Sequence, residues 1–182
     1  MPHRLDVRCR ACGGHATFEF AEAVRIRRRA DVPFFEQSPW FDVAVFGRGG
    51  GTSWRGAVFY AGLHGGVRAI SGLPAGYAPT DWSHSRYLFR SHGRDLGSRV
   101  CASCSAREKC TLDWPNDAWF QVTTRAGVLW AFHRESAVAL RDFVAAKDRA
   151  KGKRWKSFLL HVPSGFLTAK ARDEVLRKLD RL

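Results

Sequence analysis

The sequence predicts an α+β fold: a mainly antiparallel β-sheet, two C-terminal helices, and a pair of cysteine knuckles enclosing a long β-rich insertion. Three observations predict it. Short β-rich runs separated by Gly-rich turns fill the first two thirds of the chain. Two apolar stripes at helical spacing lie in the last third, and two Cys-x-x-Cys pairs stand far apart.

The elements follow in order. Residues 16–20 alternate enough to be the returning strand of a hairpin that begins at the first cysteine pair. Residues 21–29 form an element closed by Pro33. Residues 41–46 and 54–61 read as strands, joined by the glycine-rich stretch 47–53. From 62 to 79 the chain is rich in Gly and Pro without a sustained period, so it reads as loop. Residues 87–90 form a short strand leading to the second cysteine pair. Runs 119–123 and 128–133, joined by Thr124-Arg125-Ala126-Gly127, carry a hairpin signal. A helix over 135–147 places Leu140, Phe143 and Val144 on one face. Residues 158–162 read as a buried strand, and a final helix over 168–182 aligns Ala171, Val175, Leu179 and Leu182. The organisation expected is a knuckle module with its insertion over 1–110 and a hairpin–helix–strand–helix part over 111–182, packed as one unit.

The five cysteines are Cys9, Cys12, Cys101, Cys104 and Cys110. Two residues between thiolates let both sulfurs of a tight turn face one ion, and Gly13 and Gly14 free the chain where the first turn reverses. The two pairs, Cys9/Cys12 and Cys101/Cys104, resemble the knuckles of zinc-ribbon proteins. The resemblance covers only the knuckles and their flanks. It implies a closed Cys₄ shell around a structural Zn²⁺. Here 88 residues separate the pairs, far beyond the usual ~15–20 of a simple ribbon. The insertion must therefore be structured itself. The competing readings are disulfides, which suit an oxidising compartment and an even count, and an iron–sulfur cluster that recruits Cys110.

The 182 residues carry 30 Lys and Arg against 17 Asp and Glu, a formal charge of +13. Such an excess favours polyanionic partners. It is not evenly spread: residues 1–29 carry +4, residues 134–182 carry +7, and residues 30–60 carry −1. Two clusters hold most of it. One is Arg25, Arg27, Arg28 and Arg29. The other is Lys147, Arg149, Lys151, Lys153, Arg154 and Lys156, with Trp155 inside it to stack on a base or ribose. The stretch 82–90, aromatic and Arg-rich, would suit unpaired bases, and its rings suit a core equally well. These features lead to a zinc-stabilised nucleic-acid-binding protein, DNA or RNA undetermined. The alternative is an adaptor or assembly subunit that docks a protein partner through the 30–60 region within a nucleoprotein complex.

An enzyme is the weaker expectation. Gly47 to Ser53 lacks the Gly-Lys-Ser/Thr ending of a phosphate loop, so it reads as a hairpin loop. A zinc-knuckle nuclease would use His84 and His92, but their spacing from Asp81 matches that pattern weakly. No H-x-E or P-C-x-x-C deaminase pattern occurs, and no catalytic residue is assigned. No apolar run approaches ~18 residues, so no membrane span is expected. The first residues lack a secretion-signal pattern, which points to a cytoplasmic protein.

Overall fold

The computed structural model describes residues 1–47, 53–84, 95–146 and 153–181. The fold is α+β with antiparallel sheets, as the sequence predicts. In chain order its strands and helices are β1 (Arg4–Arg8), β2 (His15–Phe20), β3 (Glu22–Arg25), α1 (Val32–Gln37), β4 (Phe41–Phe46), β5 (Trp54–Phe59), α2 (Ala61–His64), β6 (Leu96–Cys101) and β7 (Arg107–Thr111). They continue with β8 (Phe120–Thr124), β9 (Gly127–Ala131), α3 (Arg134–Ala145), α4 (Lys156–Leu160) and α5 (Ala169–Leu179). The chain divides into two compact units. One comprises residues 1–4 and 9–113, the other residues 5–8 and 114–182.

The first unit contains two antiparallel arrays. In one, β2 pairs with β6 and β6 with β7. Gly97, second in β6, sits where a Cβ would run into the Phe18 ring and the Glu19 carbonyl. In the other, β5 lies between β3 and β4. Its core is aromatic: Phe35 packs edge-on against Phe41 at 5.1 Å, and Trp82 lies 4.9 Å from Phe41. Trp82 is 0% exposed and donates its indole N–H to the Ala57 carbonyl at 2.9 Å. The base-stacking expectation for 82–90 is thereby corrected at its first residue, which belongs to the core. Residues 85–90, including the strand expected over 87–90, lie outside the described residues, as do residues 48–52 of the glycine-rich loop.

The second unit takes a strand from the N-terminal end of the chain. Asp6 donates its N–H to the Phe132 carbonyl at 2.8 Å and accepts from the Trp119 N–H at 3.0 Å, while Val7 bridges Ala118. The β8–β9 hairpin packs with α3 and α5 around Leu140, Val144, Val175 and Leu179. Ser136 closes a capping box on His133, with its hydroxyl accepting the His133 N–H at 3.0 Å. Thr168 caps α5 by accepting the Ala171 N–H at 3.3 Å.

One element differs in type. The run 158–162, expected as a buried strand, begins inside α4. Leu159 is buried whereas Leu160 is 53% exposed. A run this short has no resolvable period, so its apolar character does not separate strand from helix.

Candidate metal centre

The four predicted ligands converge in the first unit. The β2–β6 register sets Ala16 opposite Cys101, so the start of the second knuckle lies beside the end of the first. That pairing answers the 88-residue separation: the insertion leaves along β2 and returns along β6.

Each knuckle is held by its own backbone. Cys9 donates its N–H to the Gly14 carbonyl at 2.8 Å and accepts the Gly13 N–H at 2.9 Å. Cys101 donates to the Ala106 carbonyl at 2.9 Å. In both turns the residue after the second cysteine is left-handed: Gly13 has φ 71° and Ser105 has φ 59°. Gly14 is also needed for space, since a Cβ there would lie 2.8 Å from Ser103 Oγ.

The sulfurs of Cys9 and Cys104 are 3.8 Å apart, and those of Cys12 and Cys101 3.6 Å. All four lie within 4.8 Å of one another. A tetrahedral ion with metal–sulfur bonds of about 2.3 Å spaces its sulfurs by about 3.8 Å. The separations also exceed a disulfide bond, and all five cysteines are free thiols. Cys110, in β7 opposite Gly97, is not a member of the group.

The electrostatics point the same way. N–H groups of Cys104 and Ser103 approach Cys101 Sγ at 3.4 and 3.3 Å and pull that thiol down to about 6. Cys12 receives the Gly14 N–H at 3.4 Å, yet the neighbouring sulfurs of Cys104 and Cys101 push it up to about 12. Four sulfurs this close cannot all carry charge without a cation among them. The donor set therefore fits a metal ion.

Left-handed Ser105 gives a simple prediction. A non-glycine residue there is strained, so Ser105→Gly should raise stability by about 0.5–1 kcal/mol, while Gly13→Ala should lower it by about 1 kcal/mol. Denaturant titration of the metal-loaded protein reads both. A loss for Ser105→Gly, a gain for Gly13→Ala, or no change in either would contradict the geometry.

The predicted basic residues are placed differently from one another. Arg28 forms a two-pronged pair with Asp31 at 3.0 and 3.1 Å, which raises its pKa through that hydrogen bond and charge. It also donates to the Ala75 carbonyl, while Arg27 donates to the Gly76 carbonyl and lies over the Tyr77 ring. Both side chains therefore brace the 75–77 turn. Arg25 and Arg29 instead line a cleft of about 370 Å³ together with Arg28, Arg55 and Trp54. Among the described residues, the side chains of Arg25, Arg29 and Arg55 have no hydrogen-bond or ion-pair partner. Arg55 and Trp54 were missed by sequence reasoning. They reach the cleft through the β3–β5 pairing, in which Ile26 donates to the Arg55 carbonyl at 2.9 Å.

Lys147, Arg149, Lys151 and the Lys153 side chain lie outside what the structure describes. Arg154 pairs with Glu135 at 2.6 Å and lies over the Trp155 ring. Trp155 packs near His133 and Phe158, against the core, and Lys156 is exposed. A further basic cleft of about 720 Å³ follows α5 in the second unit, lined by Arg125, Lys170, Arg177, Lys178 and Arg181. Lys170, Arg177 and Lys178 lie on α5 and Arg181 two residues past its end, positions visible in the sequence beside the apolar stripe.

His84 is held in the first unit between two carboxylates. Its Nδ1 is 2.8 Å from Glu22 Oε1 and its Nε2 3.3 Å from Glu19 Oε1. Burial opposes its charge, but the hydrogen bonds to Glu19 and Glu22 prevail and push it up to about 9. Burial and the adjacent His84 push His3 down to about 4. Glu19 is favoured as the anion: burial opposes its charge, but the bond to His84 and the Arg4 guanidinium outweigh that. His92 lies outside the described residues.

Among the described residues no helix is long and apolar enough to cross a membrane. Fold and site together define an α+β chain with two cysteine knuckles whose four sulfurs cluster at metal-binding distance. No protein-family model, curated protein or solved structure matches it.

Proposed function

We propose that the protein is a zinc-stabilised, cytoplasmic nucleic-acid-binding protein. The observation that carries the reading is the cleft lined by Arg25, Arg28, Arg29 and Arg55, in the same unit as the four cysteines. The guanidinium groups of Arg25, Arg29 and Arg55, without side-chain partners among the described residues, are poised for phosphate oxygens, which such groups grip in two-pronged fashion. Zinc is the ion of choice because four thiolates at tetrahedral spacing suit it, and it needs no redox partner. Thiolates on a multi-iron cluster would bind different irons and stand further apart. A reducing cytoplasm keeps the thiols available.

The test is fluorescence anisotropy with labelled single-stranded and duplex DNA and RNA across a salt series. Affinity should fall linearly on a log–log plot against salt, with a slope near the number of phosphates engaged. The triple variant Arg25→Glu, Arg29→Glu, Arg55→Glu should lose about 100-fold in affinity or more and flatten that slope. Salt-independent binding, or a triple variant that binds as wild type, would refute the reading.

A second reading, docking of a protein partner through residues 30–60, draws on β4. It is an edge strand of its sheet and carries Val45 at 54% exposure. Such an edge can accept an added strand.

A further inference from the structure

We propose that His3, Glu19 and His84 form a second metal site, for one divalent transition-metal ion held by two imidazoles and one carboxylate. The three residues lie in the first unit: His3 just before β1, Glu19 on β2, and His84 two residues after the short helical turn that carries Trp82. Their ligand atoms all lie within 4.8 Å of one another. Glu19 Oε1 is the shared centre, 3.3 Å from His84 Nε2 and 3.9 Å from His3 Nε2. An ion bonded at about 2.1 Å spaces its ligands by about 3.0–3.4 Å, so the trio needs only small shifts to close on one.

Three further observations set this group apart from an ordinary ion pair. His3 Nε2 is buried and makes no hydrogen bond among the described residues, and such an orphaned nitrogen needs a partner. The His3 and His84 rings lie with centroids 3.2 Å apart, so two candidate ligands already stand in contact and would part by about 1–2 Å to share one ion bonded at about 2.1 Å. The supporting shell is also in place. Glu22 Oε1 accepts from His84 Nδ1 at 2.8 Å, which orients the ring so that Nε2 is the nitrogen an ion would take in place of its proton. Arg4 Nη2 holds Glu19 Oε2 at 3.0 Å, which leaves Oε1 to face the histidines.

The donor chemistry differs from that of the knuckles. Two imidazoles and a carboxylate suit Zn²⁺, Fe²⁺, Co²⁺ or Mn²⁺, and three protein ligands leave coordination positions open. Glu19 and Arg4 also line a cleft of about 470 Å³ with Thr17, Gly62 and Ser98, so an ion at Glu19 borders a space large enough for a small exogenous ligand.

The experiment is a Co²⁺ titration of the full chain whose cysteine centre is already filled with zinc. Wild type should bind one further equivalent, with weak visible absorption and no sulfur charge-transfer band. His84→Ala and His3→Ala should each lower that affinity at least 100-fold while retaining the zinc of the cysteine centre. Glu22→Gln should lower it about 10–100-fold, as expected of a residue that orients a ligand. The proposal is overturned if wild type binds no more Co²⁺ than the His3→Ala/His84→Ala double variant. Should the histidine variants lose the fold, the wild-type titration and Glu22→Gln still decide: no further equivalent, or an affinity unmoved by Glu22→Gln, refutes the site. Retained thiolate-bound zinc in every arm separates this result from any failure of the cysteine centre.

Discussion

Cys101→Ser should release the metal of the cysteine centre and unfold the first unit, or destabilise it by at least several kcal/mol. The scale is set by structural zinc, whose apparent binding in small peptides is worth about 10–16 kcal/mol at neutral pH. Cys101 carries more of the site than a bond count suggests. It is buried and receives the N–H groups of Ser103 and Cys104, which pull its thiol down to about 6. It also ends β6, so its knuckle fastens the strand that pairs with both β2 and β7. Serine keeps the shape but not the soft thiolate. Circular dichroism with and without a strong chelator, alongside metal content, reads the outcome. A Cys101→Ser chain that stays folded and metal-free at wild-type stability would contradict a structural role.

Trp82→Ala should be the most damaging substitution away from the cysteines. The ring is fully buried among Phe35, Phe41 and Tyr77. Truncating a buried Trp costs about 3–5 kcal/mol through lost transfer energy and the cavity left behind. The Ala57 carbonyl also loses the indole N–H that reaches it at 2.9 Å, worth about 1 kcal/mol more. Against a total stability of about 5–15 kcal/mol, most of the margin disappears. Trp82→Phe, which keeps most of the ring, should cost about half as much. Denaturant unfolding compares the two. A loss under 1.5 kcal/mol for Trp82→Ala would mean the cavity collapses or the residue is not core.

What could be read from the sequence followed the range of the signal. The Cys-x-x-Cys pairs are local patterns with a direct chemical meaning, and they stay legible although 88 residues lie between them. The β4, β8–β9, α3 and α5 segments carry clear periods and turn residues, and they fold as those periods predict. The α4 run is too short to have a period, so a half-exposed helix passes for a buried strand. The arginine cleft was half visible. Arg25 and Arg29 form a run, whereas Arg55 joins them only through the register of β3 with β5. The same holds for His3, Glu19 and His84, scattered from position 3 to 84 and assembled by the fold alone. Trp82, read beside its basic neighbours, looked equally suited to a base or to a core; the carbonyl of Ala57 settles its place.

The central claim is that Cys9, Cys12, Cys101 and Cys104 close around one ion. Titrating metal-free chain with Co²⁺ tests it most directly, because thiolate-to-cobalt charge transfer reports sulfur ligation. The account predicts an intense charge-transfer band that saturates at one equivalent, reports four thiolates in tetrahedral array, vanishes on adding Zn²⁺, and is lost in Cys12→Ser and Cys101→Ser. A chain that binds its first equivalent without such a band, or a band unchanged when those cysteines are replaced, would contradict it.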